Sequence, residues 1–211
     1  VWYHVIQYKL ENINNLENNI GNDNNIVKKY KYIQAMGILP PQAIPKFIEE
    51  EEAPKESKDS VHLVTIIPND KFKEADKIKE EMVKQIVASK ENVWVHIMTP
   101  NEIFEISMDQ KFELSGAISM SYPLYDTGIL GALRVAEVHK SLVLQKFEKY
   151  VVSYCIGGSL VRGDAEKTSD VDVFVIINDT DVKRMPRAQV KDQLTRIVHL
   201  SKMKVFFLQS Y

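Results

Sequence analysis

A glycine-rich turn followed by two aspartates constrains the fold of this 211-residue chain more than any other feature. The turn consists of Gly157, Gly158 and Ser159, and residues 160–169 separate it from Asp170 and Asp172. Both aspartates alternate with apolar residues, a pattern that predicts a strand on which residues two apart face the same side. The sequence therefore predicts a turn and then a strand that carries two carboxylates on one face.

The turn and the aspartates both suit a phosphorylated ligand that carries a metal ion. Glycine has no Cβ, so the backbone N–H groups of the turn can approach phosphate oxygens, and a helix beginning there directs its positive end towards them. Two carboxylates on one face can share a hard cation. Without a cation each carboxylate raises the pKa of the other, which disfavours the alternative of a hydrated or turn-capping pair. For the two glycines alone, an ordinary tight turn that binds no ligand is also a valid explanation.

The composition bounds the class of protein. Hydrophobic residues make up 45% of the chain and charged residues 27%, which fits a globular protein with a buried core. The formal net charge of −2 gives no support to broad electrostatic binding of nucleic acid or of an anionic membrane. No apolar run approaches the ~18 residues of a membrane span. The single cysteine, Cys155, rules out an internal disulfide and fits a reducing, cytoplasmic setting.

Hydrophobic periodicity predicts strands that alternate with helices, hence an α/β or α+β protein with a mixed sheet and flanking helices. Strands are predicted at 1–10, 61–67, 93–98, 150–156, 170–177 and 205–208. Helices are predicted at 71–89, 101–108, 111–118, about 130–149 and 187–201. Asparagine dominates 11–25, and proline and glutamate dominate 38–58, so we interpret 11–58 as a disordered insertion.

Over residues 150–200 the chain resembles the nucleotidyltransferase superfamily, which includes DNA polymerase β, aminoglycoside nucleotidyltransferases and the small MNT-type proteins. The family pattern is Gly-[Gly/Ser]-Ser, about ten residues, and then acidic–apolar–acidic–apolar. Here it is Gly157-Gly158-Ser159 followed by Asp170-Val171-Asp172-Val173. The intervening Arg162-Gly163 and Ser169 are also similar to the small prokaryotic members.

The resemblance implies transfer of a nucleoside monophosphate from a nucleoside triphosphate, ATP by expectation, to an acceptor hydroxyl, with release of pyrophosphate. Asp170 and Asp172 would bind one or two Mg²⁺ ions and serve as the catalytic residues. Nucleotide-binding residues would be Gly157, Gly158, Ser159, Arg162 and Ser169. For Arg162, neutralising a phosphate and capping the turn are equally open. Family acceptors include small molecules, protein side chains and RNA ends, and nothing in the sequence selects among them.

One departure from the family pattern concerns catalysis. Active members carry a third carboxylate on the next strand, but 205–211 contains no acid. Three explanations are open: the strand assignment at 205–208 is wrong, the chain is cut or altered there, or the protein does not catalyse. The alternative function is a non-catalytic nucleotide-binding or regulatory module, for which the MNT-type relatives imply a toxin-like protein partner. A purely structural tandem is a third possibility.

The first half of the chain aligns with the second as a degenerate copy. Residues 60–67 match 170–177 in apolar pattern, with Ser60 and His62 in place of Asp170 and Asp172. We therefore expect three parts: a degenerate copy at 1–128, a connecting helix at 129–149 and a core at 150–211. The second copy stops at its third strand, so we expect a chain truncated at both ends.

Two further features of the first half leave alternatives open. Residues 121–128 resemble the Leu-Tyr-acidic ending that follows small nucleotidyltransferase domains, although a simple turn fits equally well. His62 and His96 fall on neighbouring predicted strands. They either line a ligand pocket or form satisfied core residues, and the second alternative is favoured.

Overall fold

The computed structural model describes residues 25–50, 54–88, 92–109, 111–164, 169–178, 188 and 203–210. Within them, strands alternate with helices in a mixed α/β architecture, as predicted from the sequence. The strands are β1 (Ala35–Ile38), β2 (Val61–Ile66), β3 (Val93–Met98), β4 (Tyr122–Asp126), β5 (Val151–Gly157), β6 (Val171–Asn178) and β7 (Met203–Ser210). The helices are α1 (Asn25–Lys29), α2 (Ile44–Glu50), α3 (Ala75–Ala88), α4 (Pro100–Met108), α5 (Phe112–Ser119), α6 (Ile129–Phe147) and α7 (Gly158–Arg162).

The described strands form two sheets. The first has the order β3-β2-β1-β4, in which β2 and β3 are parallel and β1 is antiparallel to both β2 and β4. The second has the order β5-β6-β7, in which β5 and β6 are antiparallel and β6 and β7 are parallel. We call β1, β2 and β3 the N-terminal unit, and β5, β6 and β7 the C-terminal unit.

The two units share strand order, strand direction and register. In the parallel pairs, Val61 lies opposite Val93, and Val171 lies opposite Met203. Aligning the first residue of β2 with that of β6 therefore also aligns the first residues of β3 and β7. That the units are tandem copies stays a prediction, because a common topology does not establish a common origin.

Two apolar clusters form the core. Helices α1 and α3 cover one face of the first sheet, where Ile78 and Met82 of α3 are buried beside Leu63 and Ile67. The larger cluster lies between the two sheets and includes side chains of α4, α5 and α6. It joins Val64 and Ile66 of β2 to the buried side of β6. The helices at the centre therefore pack against both units.

Residues 11–58 are not a disordered insertion where the structure describes them. Residues 35–38 form β1, which is buried and lies between β2 and β4, and α2 buries Ile44, Phe47 and Ile48. The asparagine and glutamate content of the segment masks these short apolar groups. Pro41 lies at the start of a 3₁₀ turn, where a missing N–H is tolerated. The prediction for 11–24 and 51–53 lies outside the described residues.

The remaining predicted elements agree with the structure to within a few residues, except that Asn69–Glu74 is a 3₁₀ helix that precedes α3. The predicted strand at 1–10 and most of the predicted helix at 187–201 lie outside the described residues. Among the helices that the structure describes, none combines the length and the apolar character needed to cross a membrane.

Candidate nucleotide site

The glycine turn joins β5 to α7 at the edge of the second sheet. Gly157 is the N-cap residue of α7, and Gly158 has a φ of +66°, a conformation that L side chains rarely adopt. A Cβ added to Gly158 would overlap the carboxylate of Asp172, and one added to Gly157 would overlap the ring of Phe174. Both glycines are therefore required by close packing of the turn against β6.

Asp172 lies directly beneath this turn. It is the register partner of Gly157 and is partly exposed, whereas Val171 and Val173 on either side are buried. The strand thus buries one face in the core and leaves Asp172 on the other. Asp170 precedes the strand and is exposed. Because Asp170 lies outside β6, strand periodicity does not place it on the face of Asp172, and its position beside the glycine turn stays a prediction.

The end of the turn is closed by backbone hydrogen bonds. The Ser159 carbonyl accepts from the N–H of Gly163 at 3.0 Å and of Asp164 at 3.1 Å. Gly163 has a φ of +81° and ends the helix in the left-handed conformation. Since α7 has only five residues, its dipole is small, and an anion would be held mainly by individual N–H groups of the turn.

Arg162 and Ser169 flank the turn. The Arg162 Nε donates to the Asp164 carboxylate at 3.3 Å, and both side chains are more than half exposed. Such a pair contributes little to stability, so the guanidinium can reorient towards a ligand at small cost. Ser169 is partly exposed just before Asp170. The structure leaves both alternatives for Arg162 open.

The strand predicted at 205–208 is present in the structure as β7. Strand β7 runs parallel to β6 along its whole length and pairs Lys204 with Asp172. No residue of Met203–Ser210 is acidic. A wrong strand assignment therefore does not explain the missing third carboxylate. The position next to Asp172 on the neighbouring strand is a lysine.

The described residues are compatible with a hard cation held by few protein ligands. Asp170 and Asp172 offer carboxylate oxygens, which Mg²⁺ prefers, and Mg²⁺ commonly takes one or two carboxylates together with substrate phosphates. No cluster of three or more histidine, cysteine, aspartate or glutamate side chains suited to a metal occurs in the described part of the chain. Water and the phosphates of a nucleotide are the ligands that commonly complete such a coordination shell.

Two residues of the first half, which the sequence analysis did not single out, contact the end of α7. Asn69 Nδ2 donates to the carbonyl of Val161 at 3.1 Å and more weakly to that of Arg162 at 3.4 Å. The Gln34 side-chain amide donates to the Gly163 carbonyl. A Pro68-Asn69 turn after an apolar strand was the only signal available, and it is common to many loops.

The two histidines of the N-terminal unit form a buried pair. His62 is 0% and His96 1% exposed, and their rings share a hydrogen bond of 2.8 Å between His62 Nδ1 and His96 Nε2. The other His62 nitrogen, Nε2, lies 2.8 Å from the Ser57 carbonyl and must therefore donate to it. The structure agrees with the favoured alternative of satisfied core residues.

Residues 121–128 form an edge strand and a helix cap. Tyr122–Asp126 is β4, and the Asp126 carboxylate accepts from the N–H groups of Gly128, Leu130 and Gly131 at 2.9–3.1 Å. This capping accounts for the aspartate without any ligand. The alternative of a simple turn therefore does not describe this segment. Its resemblance to the Leu-Tyr-acidic ending of small nucleotidyltransferase domains stays a prediction.

Comparison with known proteins bears on the second half of the chain. Residues 137–207 match the family model of the nucleotidyltransferase domain, a segment that begins within α6 and ends within β7. No curated protein and no solved structure matches the chain. The matched segment contains the glycine turn and both aspartates. Residues 137–207 therefore match a nucleotidyltransferase domain, which is consistent with a member of that superfamily.

Proposed function

We propose that the protein transfers a nucleoside monophosphate from a nucleoside triphosphate, ATP in the first instance, to an acceptor hydroxyl and releases pyrophosphate. The observation that carries this proposal is the contact between Gly158 and Asp172. It brings a partly exposed glycine turn and a side chain of a type that binds metal ions together at one end of the sheet. The acceptor is a small molecule, a protein side chain or an RNA end.

Each residue has a defined task in this proposal. The N–H groups around Gly158 and Ser159 would hold phosphate oxygens, with Arg162 and Ser169 at the margin. Asp170 and Asp172 would hold Mg²⁺, which when bound supplies positive charge that offsets the charge developing on the phosphate. Fixed N–H groups and carboxylates favour this because they orient the triphosphate without reorganisation during the reaction.

The test is calorimetric titration with ATP and with GTP, with and without Mg²⁺. We expect Mg²⁺-dependent binding that Asp170→Asn/Asp172→Asn abolishes. The control is Asp76→Asn, an exposed aspartate in the first turn of α3, which should bind as the wild type does. Absence of binding by the folded wild-type protein would overturn the proposal.

A second function, a nucleotide-binding or antitoxin-like module without turnover, is favoured by one observation. The neighbour of Asp172 on β7 is Lys204, and β7 has no acid. Release of pyrophosphate in the presence of candidate acceptors separates the two proposals. Mg²⁺-dependent binding without pyrophosphate release from any acceptor class would favour the module and direct attention to a toxin-like protein partner.

A further inference from the structure

The end of α7, the short helix that begins at the glycine turn, accepts hydrogen bonds from the N-terminal half of the chain. Asn69, at the carboxyl end of β2, donates to the carbonyls of Val161 and Arg162. Its own Oδ1 accepts from the backbone N–H of Asn101 at 3.0 Å. One side chain thus joins the loop after β2, the start of α4 and the end of α7.

A second contact reinforces the first. Gln34, just before β1, donates from its side-chain amide to the Gly163 carbonyl, while its backbone carbonyl accepts from the N–H and the hydroxyl of Thr127, each at 2.9 Å. The consecutive carbonyls of Val161, Arg162 and Gly163 therefore all accept hydrogen bonds from the first half. These are the carbonyls that end α7, and intrahelical N–H groups cannot reach them.

We propose that Asn69 is a positioning residue for the nucleotide site, so that the affinity of the C-terminal unit for Mg²⁺·ATP depends on a side chain of the N-terminal half. Asn69 contacts the far end of a helix whose first residues are the glycine turn. Since α7 is only five residues long, a displacement at Val161–Gly163 is transmitted to Gly158 and Ser159. This inference rests on the proposed function and adds a residue that acts through the turn, without contact to the ligand.

The decisive substitution is Asn69→Asp, which keeps the size of the side chain. The Oδ1 can still accept from Asn101, but the donor to Val161 and Arg162 becomes an oxygen that faces two carbonyls. The matched control is Asn92→Asp. Asn92 also joins two segments of the N-terminal half, through a 2.9 Å bond from the Ser60 hydroxyl to its Oδ1, but at the opposite, amino end of β3.

Two measurements are made on each protein: Mg²⁺·ATP affinity by calorimetry, and hydrogen exchange of the Gly163 and Asp164 amides without nucleotide. We expect Asn69→Asp to weaken affinity about tenfold or more, as removal of supporting partners around a ligand site commonly does, and to speed exchange of both amides. Asn92→Asp should change neither. A second variant, Gln34→Glu, removes the donor to Gly163 and should act in the same direction.

The outcomes separate this inference from the proposed function. Wild-type binding that Asn69→Asp leaves unchanged overturns the inference, and so does equal weakening by Asn92→Asp. Absence of binding by the wild-type protein overturns the proposed function. If hydrogen exchange of the Gly163 and Asp164 amides is then faster in Asn69→Asp but not in Asn92→Asp, Asn69 still stabilises the end of α7. Unchanged exchange in Asn69→Asp would overturn that role. An affinity loss accompanied by global unfolding is recognised by faster exchange throughout the chain, and Gln34→Glu then decides.

Discussion

The two units have the same strand arrangement, but one face of the central strand is buried in the N-terminal unit and partly exposed in the C-terminal unit. In the N-terminal unit, His62, Val64 and Ile66 of β2 lie on the face covered by the central helices, and all three are buried. In the C-terminal unit, the corresponding face of β6 carries Asp172, Phe174 and Ile176, and all three are partly exposed. A carboxylate that binds a hydrated cation needs access to solvent, which only the second arrangement gives.

The segments that precede these two strands also differ, because only the one in the C-terminal unit is a glycine turn that is partly exposed. Leu39 donates its N–H to the His62 carbonyl at 2.8 Å, in the place that Gly157 occupies beside Asp172. It is followed by Pro40 and Pro41, which lack N–H groups altogether. The N-terminal unit therefore lacks both the N–H donors at the turn and the carboxylate on the central strand. The same sheet topology carries the proposed ligand site in the C-terminal unit and a packing interface in the N-terminal unit.

Exchanging the residues at the two equivalent strand positions should give the largest effect. His62→Asp places a carboxylate at a site that is 0% exposed and removes the donor to the Ser57 carbonyl, and we expect a loss of about 3 kcal/mol or more in the free energy of unfolding. Asp172→His should change stability by less than about 1 kcal/mol, because the site is partly exposed, and should abolish Mg²⁺-dependent ATP binding. Chemical denaturation and calorimetry measure the two effects, and similar stability losses in both variants would break the comparison.

Substitution in the turn should rank second. Gly158→Ala introduces a Cβ at positive φ against Asp172, and we expect a loss of about 1–3 kcal/mol in stability together with loss of ATP binding. Gly116→Ala is the control, since Gly116 lies inside α5 with its nearest neighbour, the Glu137 carboxylate, 3.4 Å from the added Cβ. There alanine should stabilise the helix by about 0.5–1 kcal/mol. A neutral Gly158→Ala would show that the turn is less closely packed than described.

Acid should weaken the protein through a contact that belongs to the C-terminal unit. The buried His139 lies 2.9 Å from the hydroxyl of Tyr154, at a β5 position that Met36 occupies in β1. Burial lowers the pKa of His139, so the unfolded chain takes up a proton at higher pH than the folded chain. The stability contribution is therefore complete above the ordinary histidine pKa of about 6.5 and is lost as the pH falls towards the folded value.

The variant His139→Gln isolates this effect. Between pH 7.5 and pH 5, its free energy of unfolding should fall less steeply than that of the wild type, by at most about 1.4 kcal/mol per pH unit. Urea unfolding at several pH values measures the slope. Parallel slopes in the two proteins would assign the acid sensitivity to groups other than His139.

The smallest expected stability effect is that of Arg162→Gln. Because its pair with Asp164 is exposed, we expect a change below about 0.5 kcal/mol but about tenfold weaker ATP binding, since a charge-assisted contact to phosphate is lost. The control is Lys84→Gln, which breaks an exposed pair with Glu80 on α3 and should alter neither quantity. Unchanged ATP binding by Arg162→Gln would leave turn capping as the role of this arginine.

Features set by local pattern could be predicted from the sequence. The strand around Val171 follows from alternation, and the turn at Gly157 and Gly158 follows from residues whose backbone freedom is required there. Strand β1 was missed, because four residues between a polar segment and two prolines give no periodicity to detect. Its place in the sheet is decided by long-range pairing with β2 and β4.

The supporting contacts of the site were beyond prediction for a related reason. Asn69 and Val161 are 92 residues apart, and an asparagine after a proline is typical of any loop. The absence of an acid beside Asp172 was visible in the sequence, but its meaning depended on the register of β7, which only the pairing of Lys204 with Asp172 supplies.

The apolar cluster between the two sheets bears on cooperativity. Side chains from β2, α5, α6 and β6 share it, so neither unit can expose its part without opening the other. Thermal unfolding should therefore proceed as one calorimetric transition over the described parts of both halves. Residues 137–207 begin midway along α6 and leave out Ile129, Leu130 and Leu133 of this cluster. The stretch that matches the family model therefore lacks part of the core against which its own side chains pack, and we expect that it does not fold on its own.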